Sequence, residues 1–259
     1  ANPLIIPQTC LRFNDIQNVG VSGKHYSSFG MIGQHSILDG EGYWKDRCID
    51  LDFELLTGPF GIKPEEVIFT EDVWVGFGAF GYSLEYNVRG LELGNAVFTE
   101  FKGTPSNYNI MQEKVIDMGA GLERFAWITQ GTPTSYDSVF GPVMKQLITR
   151  SNLEYDQEFY LKYARIAGMF NIDEISNIDI AKTHASKKLK VSKNYLKNQT
   201  SGLEALYALA DHARTLVFAI ADGGLPSNVG GGYNLRVILR RALSFLDKFK
   251  WDISLEEVA

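Results

Sequence analysis

Cysteine is scarce. The 259 residues hold two, Cys10 and Cys48, far apart and outside any C-x-x-C. That excludes a disulfide-stapled extracellular module and points to free thiols in a reducing cytoplasm. The four histidines, His25, His35, His184 and His212, show no H-x-x-x-H spacing and have no cysteine ligands beside them. No protein-bound zinc is therefore expected. No stretch approaches the roughly 20 uncharged apolar residues of a membrane span, and no signal peptide opens the sequence. Neither a membrane partner nor secretion is expected. A starting methionine is missing too: the chain begins at Ala1 and runs almost at once into an apolar stretch. It reads as a processed or truncated piece.

What is present suits a globular protein. Apolar residues make up 45% and charged residues 22%, enough for one large core or two ordinary domains. The formal charge of −6 is uneven. Residues 182–259 carry 12 Lys+Arg against 7 Asp+Glu, a net +5, and the remainder carries 13 against 24, a net −11. A basic face for nucleic acid is plausible in the C-terminal third and nowhere else.

The sharpest change of character falls in residues 115–130, VIDMGAGLERFAWITQ. An apolar run ending in Asp117 meets Gly119 and Gly121. A helical pattern follows, with Leu122, Phe125, Ala126 and Ile128 on one face and Arg124 in the first turn. The pattern predicts strand, glycine turn, helix, a device that brings backbone close to a ligand. Upstream, residues 4–13 read as a buried strand with Arg12 near its end, and residues 25–32 as a second strand. Between them lies the polar loop NDIQNVGVSGK. Long loops in compact domains tend to be functional, and an arginine in an apolar strand calls for an anion.

Residues 43–56 have helical spacing, with Trp44, Cys48, Leu51 and Leu55 on one face. Residues 67–70, 84–87, 94–101 and 115–117 read as further strands. After Gly131 the chain turns helical, over 136–149, 157–169, 203–221 and 233–249. Lysine-rich residues 182–197 read as a solvated connection. The sum is an α+β layer, an antiparallel sheet with helices.

Arg12 with its loop and HYSSFGM resembles motif 2 of the class II aminoacyl-tRNA synthetases, and GAGLER resembles their motif 3. The wording LIIPQTCLRFNDIQNVG is similar to the alanyl-tRNA synthetases of archaeal type. Trp74 with residues 78–85 resembles that family's W-x-G-x-G-x-x-G-P-C-x-E stretch, although Tyr82-Ser83 stand for its P-C. Asn95, Ala96 and Val97 resemble its W-N-x-V strand, with Gly94 in place of the tryptophan. Residues 211–242 are similar to its tRNA-recognising helices. Neither motif 1 nor the editing domain with its His/Cys zinc site is recognisable, which suggests a fragment or split subunit completed by a companion chain or further segments.

The resemblance implies a class II antiparallel sheet flanked by helices over residues 1–133, lacking motif 1. An all-helical tRNA-recognition domain would begin at 134–259. It implies ATP with substrate-bound Mg²⁺, L-alanine and tRNA(Ala) as partners. Arg12 and Arg124 would be the catalytic pair. Arg12, Asp15, Lys24, Gly119, Gly121 and Arg124 would bind ATP. Met31, Trp74, Asn95, Val97, Asp117 and Gly119 would bind alanine, Asp117 through the substrate's ammonium. Arg214, Asn228, Arg236, Arg240 and Arg241 would meet tRNA. The rivals are a non-catalytic tRNA-binding fragment or paralogue, and an enzyme that activates an amino acid for an acceptor other than tRNA.

Overall fold

The computed structural model describes residues 2–168 and 177–259. Six strands, β1 (Leu4–Leu11), β2 (Ser28–Ile37), β3 (Val67–Gly76), β4 (Ala79–Val88), β5 (Leu91–Thr104) and β6 (Asn107–Gly121), form one antiparallel sheet in the order β1-β2-β6-β5-β4-β3. The helices are α1 (Lys45–Thr57), α2 (Leu122–Gln130), α3 (Ser135–Arg150), α4 (Gln157–Ala167), α5 (Ile178–Lys188), α6 (Lys193–Ala221), α7 (Gly230–Phe249) and α8 (Leu255–Val258). The α+β architecture is as expected, but β1, read as buried, is an edge strand exposed at most of its positions and ends at Leu11, so Arg12 lies just beyond it. Of the helix predicted over 157–169, the described part ends at Ala167, and Met169 lies outside the described residues. The chain divides into two compact units, Ala1–Thr9 with Gly30–Phe125, and Cys10–Phe29 with Ala126–Ala259.

The first unit is a meander laid against one helix. Strands β3 and β4 turn at Phe77-Gly78, and β4 and β5 at Arg89-Gly90, all four residues having positive φ. These are two-residue connections of the kind whose twist matches the flanking strands. One face of the sheet buries Tyr86, Ala96, Phe98, Ile116, Met118 and Ala120. Helix α1 lies on this face, with Trp44 edge-on to Phe98 at 5.7 Å and Phe53 against Phe69 at 6.5 Å. Strands β4–β6 are far longer than the apolar runs suggested, and their outer halves are joined by an aromatic cluster in which Phe80 stacks on Phe101 at 4.8 Å and Tyr108 stands edge-on to both at 5.3 and 5.1 Å.

Two local expectations are corrected. Gly119 and Gly121 are not a turn: both are extended residues of β6, which passes directly into α2 at Leu122. The lysine-rich residues 182–197 are not a solvated connection but the end of α5 and the start of α6. Asn177 and Ser192 cap these helices, accepting from the backbone N–H of Asp179 at 2.7 Å and of Tyr195 at 3.1 Å. The inward face of α5 consists of Ala181, Ala185 and Ser186, too small to register as an apolar stripe.

In the second unit α6 is the axis. Its buried stretch from Gly202 to Ala213 packs with Tyr136, Phe140, Tyr160 and Tyr163 from α3 and α4. Thr134 opens α3 with a reciprocal capping box to Asp137.

Candidate active site

The second face of the sheet is the open one, and register places the candidates on it. Asp117 stands opposite His35 on β2 and Val97 on β5, and Gly119 stands opposite Gly33 and Asn95. Met31 stands opposite Gly121. Directly opposed residues share a face, as do alternate residues along a strand. Met31, Asn95, Val97, Asp117, Gly119 and Gly121 therefore form one surface across three adjacent strands. Trp74 is on the same face but on the edge strand β3, and its ring lies over Gly76 and 6.2 Å from Phe77, away from the Asp117 row. At Gly119 a Cβ would come within 2.9 Å of Met31 Sδ, so the glycine is what lets Met31 lie across the strand.

Two polar atoms on this face lack full protein partners or face solvent. Asn95 Oδ1 is buried with no hydrogen-bond donor, a state that costs about 1–3 kcal/mol unless a ligand satisfies it. The Asp117 side chain is 65% exposed, and His35 Nδ1 lies 3.1 Å from its Oδ1. The protein partner of Asp117 is thus a histidine on the neighbouring strand. Asn95 and Asp117 lie one row apart on neighbouring strands, a diagonal pair about 7–8 Å apart. Side chains rising from positions at that spacing can converge on a single ammonium.

Arg124, in the first turn of α2, folds back over Gly121, where a Cβ would lie 3.6 Å from its Cδ. Its Nη1 donates to the Glu92 carbonyl at 2.8 Å and to Glu92 Oε2 at 3.1 Å. Its neighbour Glu123 is buried and takes the Gly30 N–H on both carboxylate oxygens at 3.1 Å. The guanidinium is preoriented by one carboxylate, with donors left for an anion.

In the second unit, Arg12, Asp15 and Lys24 sit on the segment before β2. The Arg12 backbone N–H donates to the Ser27 carbonyl at 2.9 Å. Its guanidinium, more than half exposed, lies 3.0 Å from Asp15 Oδ2. Helices of the same unit fasten this segment. Tyr136 donates its hydroxyl to the His25 carbonyl at 2.5 Å and accepts from the Gly20 N–H at 2.8 Å. Gly20 has φ +89, and a Cβ on it would collide with the Glu204 carbonyl, so only glycine fits there. Asp211 accepts the Ser27 N–H at 3.0 and 3.2 Å and also the Ser27 hydroxyl. Arg241 donates to the carbonyls of Ile16 at 2.6 Å and Val19 at 3.2 Å, and to His212 Nε2 at 3.0 Å.

Burial holds the His212 pKa below its usual value, against the pull of Asp211. The neutral ring then accepts from Arg241 at Nε2 and donates from Nδ1 to Asp211 Oδ2 at 3.0 Å. Arg214 donates to the Ser28 carbonyl and stacks over Tyr26 at 5.1 Å and Phe140 at 4.8 Å. Of the five C-terminal candidates, Arg214 and Arg241 thus face their own unit, while Asn228, Arg236 and Arg240 are exposed.

Among the described residues no group of three or more His, Cys, Asp or Glu side chains is placed to hold a metal ion. No described helix is long and apolar enough to cross a membrane.

The family described as tRNA synthetases class II (A) matches residues 1–259. The chain belongs to this family. The alanine–tRNA ligase of Nitrosopumilus maritimus is similar at 53% identity over 259 residues, covering 100% of the chain and 29% of that protein. That of Cenarchaeum symbiosum is 52% identical over the same share of both. That of Pyrococcus abyssi is 36% identical over 274 residues, covering 100% of the chain and 30% of its own length. The chain thus spans under a third of these relatives. The class II match runs through residue 259, so the helices α3–α8 fall within the same family region as the sheet and are not marked off from it.

In this class II synthetase chain the residues that the sequence did not single out are the supports. His35, Glu92, Tyr136, Asp211 and His212 each touch a candidate residue or its loop, and each lies far from its partner in the chain. Only register and helix packing reveal them.

Proposed function

We propose that the chain activates L-alanine with ATP and passes the alanyl group to the 3′ end of tRNA(Ala). The observation that carries this reading is the pair of acceptors on the open face, Asp117 and the orphaned Asn95 Oδ1. They suit an ammonium, with Met31 and Val97 beside it for a small apolar side chain. The family membership and the names of the relatives support the same reading.

In the first step a carboxylate oxygen of alanine attacks the α-phosphorus of ATP, and pyrophosphate leaves with the Mg²⁺ that arrived with the nucleotide. In the second, a hydroxyl of the terminal adenosine attacks the alanyl carbonyl, and AMP leaves. No covalent enzyme intermediate is required, so the protein contributes positioning and charge. Arg12 is assigned to the α-phosphate and the substrate carboxylate, since a planar guanidinium can hold oxygens of both. Asp15 orients Arg12, and Lys24 meets the nucleotide. Arg124 takes the far end of the triphosphate, lying over Gly121 as Met31 lies over Gly119. Trp74, at the edge of the face, has the weakest support among the alanine-site residues.

Helices α6 and α7, which fall within the same class II region as the sheet, are assigned to contact with tRNA. Exposed Arg236 and Arg240 with Asn228 are the best-supported contacts, whereas Arg214 and Arg241 spend donors on the loop backbone. Cytoplasmic work suits the two free thiols, Cys10 and Cys48.

The test is charging of tRNA(Ala) with labelled alanine by the protein that carries this chain. Alanyl ester on the tRNA is expected. Alanine-dependent exchange without transfer would point to another acceptor, and tRNA binding without exchange would point to a non-catalytic RNA-binding protein.

A further inference from the structure

Asp117 has one cross-strand partner with a titratable ring. His35 stands directly opposite it in the β2–β6 ladder, and the His35 Nδ1 to Asp117 Oδ1 distance is 3.1 Å. The ring does not project straight from the sheet. It folds back along β2 over Gly33, so closely that a Cβ there would collide with Nε2 and stand 3.0 Å from Cε1. Gly33 faces Gly119, which faces Asn95. The imidazole therefore reaches along β2 from the row of Asp117 to the row of Asn95, over Gly33. An ionised carboxylate only accepts, so the Nδ1 proton goes to Oδ1, and Oδ2 is left for a further donor. This is the arrangement by which an outer partner fixes the rotamer of a ligand-binding group.

We infer that His35 is the positioning residue of the amino-acid pocket. It holds one oxygen of Asp117 so that the other meets the substrate's ammonium, and Gly33 is glycine because the His35 ring occupies the place of its side chain. The inference rests on the alanine-activation reading and deepens it. Asp117 is largely exposed and has no other side-chain tether among the described residues, so without His35 its carboxylate is free to turn among rotamers.

The experiment is ATP–pyrophosphate exchange by the protein that carries this chain, with KM for alanine and for ATP measured separately. Three variants are compared: His35→Leu, which removes the donor, His35→Asn, whose amide nitrogen can replace Nδ1, and Gly33→Ala, which displaces the ring without touching either charged group. His35→Leu and Gly33→Ala are each expected to raise the alanine KM about tenfold, the worth of one hydrogen bond to a charged group. The ATP KM should stay within about twofold, and His35→Asn should recover most of the loss. An unchanged alanine KM in His35→Leu would overturn the inference. So would equal losses for both substrates, or a His35→Asn variant no better than His35→Leu. If instead the wild type shows no alanine-dependent exchange, the functional reading itself falls.

Discussion

Asp211, on the buried face of α6, accepts both the backbone N–H and the hydroxyl of Ser27, the residue just before β2. A carboxylate with no solvent contact thereby fixes the end of the loop that bears Arg12, Asp15 and Lys24. With Tyr136, Arg214 and Arg241 it ties the loop and the first residue of β2 to the helices at six backbone positions. The helical unit is a brace for the motif 2 loop.

Asp211→Asn keeps the shape but loses acceptor capacity against the Ser27 N–H, the Ser27 hydroxyl and His212. It is expected to cost about 2 kcal/mol of stability and to open residues 12–27 to proteolysis. Urea unfolding and limited digestion check this. An unchanged midpoint with an unchanged digestion pattern would show that the loop does not depend on the brace.

Arg240 is exposed on α7, where Arg241 faces inward. Arg240→Ala should weaken tRNA binding and lower the salt slope of log K by roughly one, the loss of one phosphate contact. Arg241→Gln should instead lower the unfolding midpoint. If Arg240→Ala leaves the slope untouched, α7 does not present that arginine to phosphate.

Asp52 lies buried under the sheet, 3.7 Å from Cys48 Sγ. Burial pushes its carboxyl up to about 7 from an unfolded value of about 3.9. The folded state holds this proton more tightly than the unfolded chain. The contribution is therefore complete below about pH 4 and is lost as pH rises through about 7. Asp52 alone should remove about 4 kcal/mol between those limits. Urea midpoints at pH 5 and pH 8 are expected to diverge for the wild type and to converge for Asp52→Asn. Parallel pH dependence in the two proteins would mean that Asp52 is not buried as a protonated acid.

Much of this was legible in the sequence. The alternating and apolar runs located every strand of the sheet, and the motif wording gave the family, with Arg12, Asn95, Asp117 and Arg124 as the site candidates it proposes. Strand lengths were not legible, since the outer part of β6 mixes polar and apolar residues without alternation and is held by the ladder and by Tyr108 against Phe80 and Phe101. Nor was the start of α6, because lysine is a fair helix former whose charge imitates a loop. The glycines at 119 and 121 looked like a turn, yet they serve close side-chain passage over a flat strand. His35 and Asp211 could not be found from spacing, since a cross-strand register and a helix docking bring them to residues 82 and 184 positions away.

The central claim is that the open face of the sheet seats an amino acid by its ammonium. Alanine-dependent ATP–pyrophosphate exchange, comparing the wild type with Asp117→Asn, tests it most directly. Saturable exchange in the wild type is predicted, with the alanine KM raised about a hundredfold in Asp117→Asn, as for loss of one partner of a close charge pair, and the ATP KM little changed. A wild type that exchanges equally well without alanine, or an Asp117→Asn variant with the wild-type alanine KM, would contradict the account.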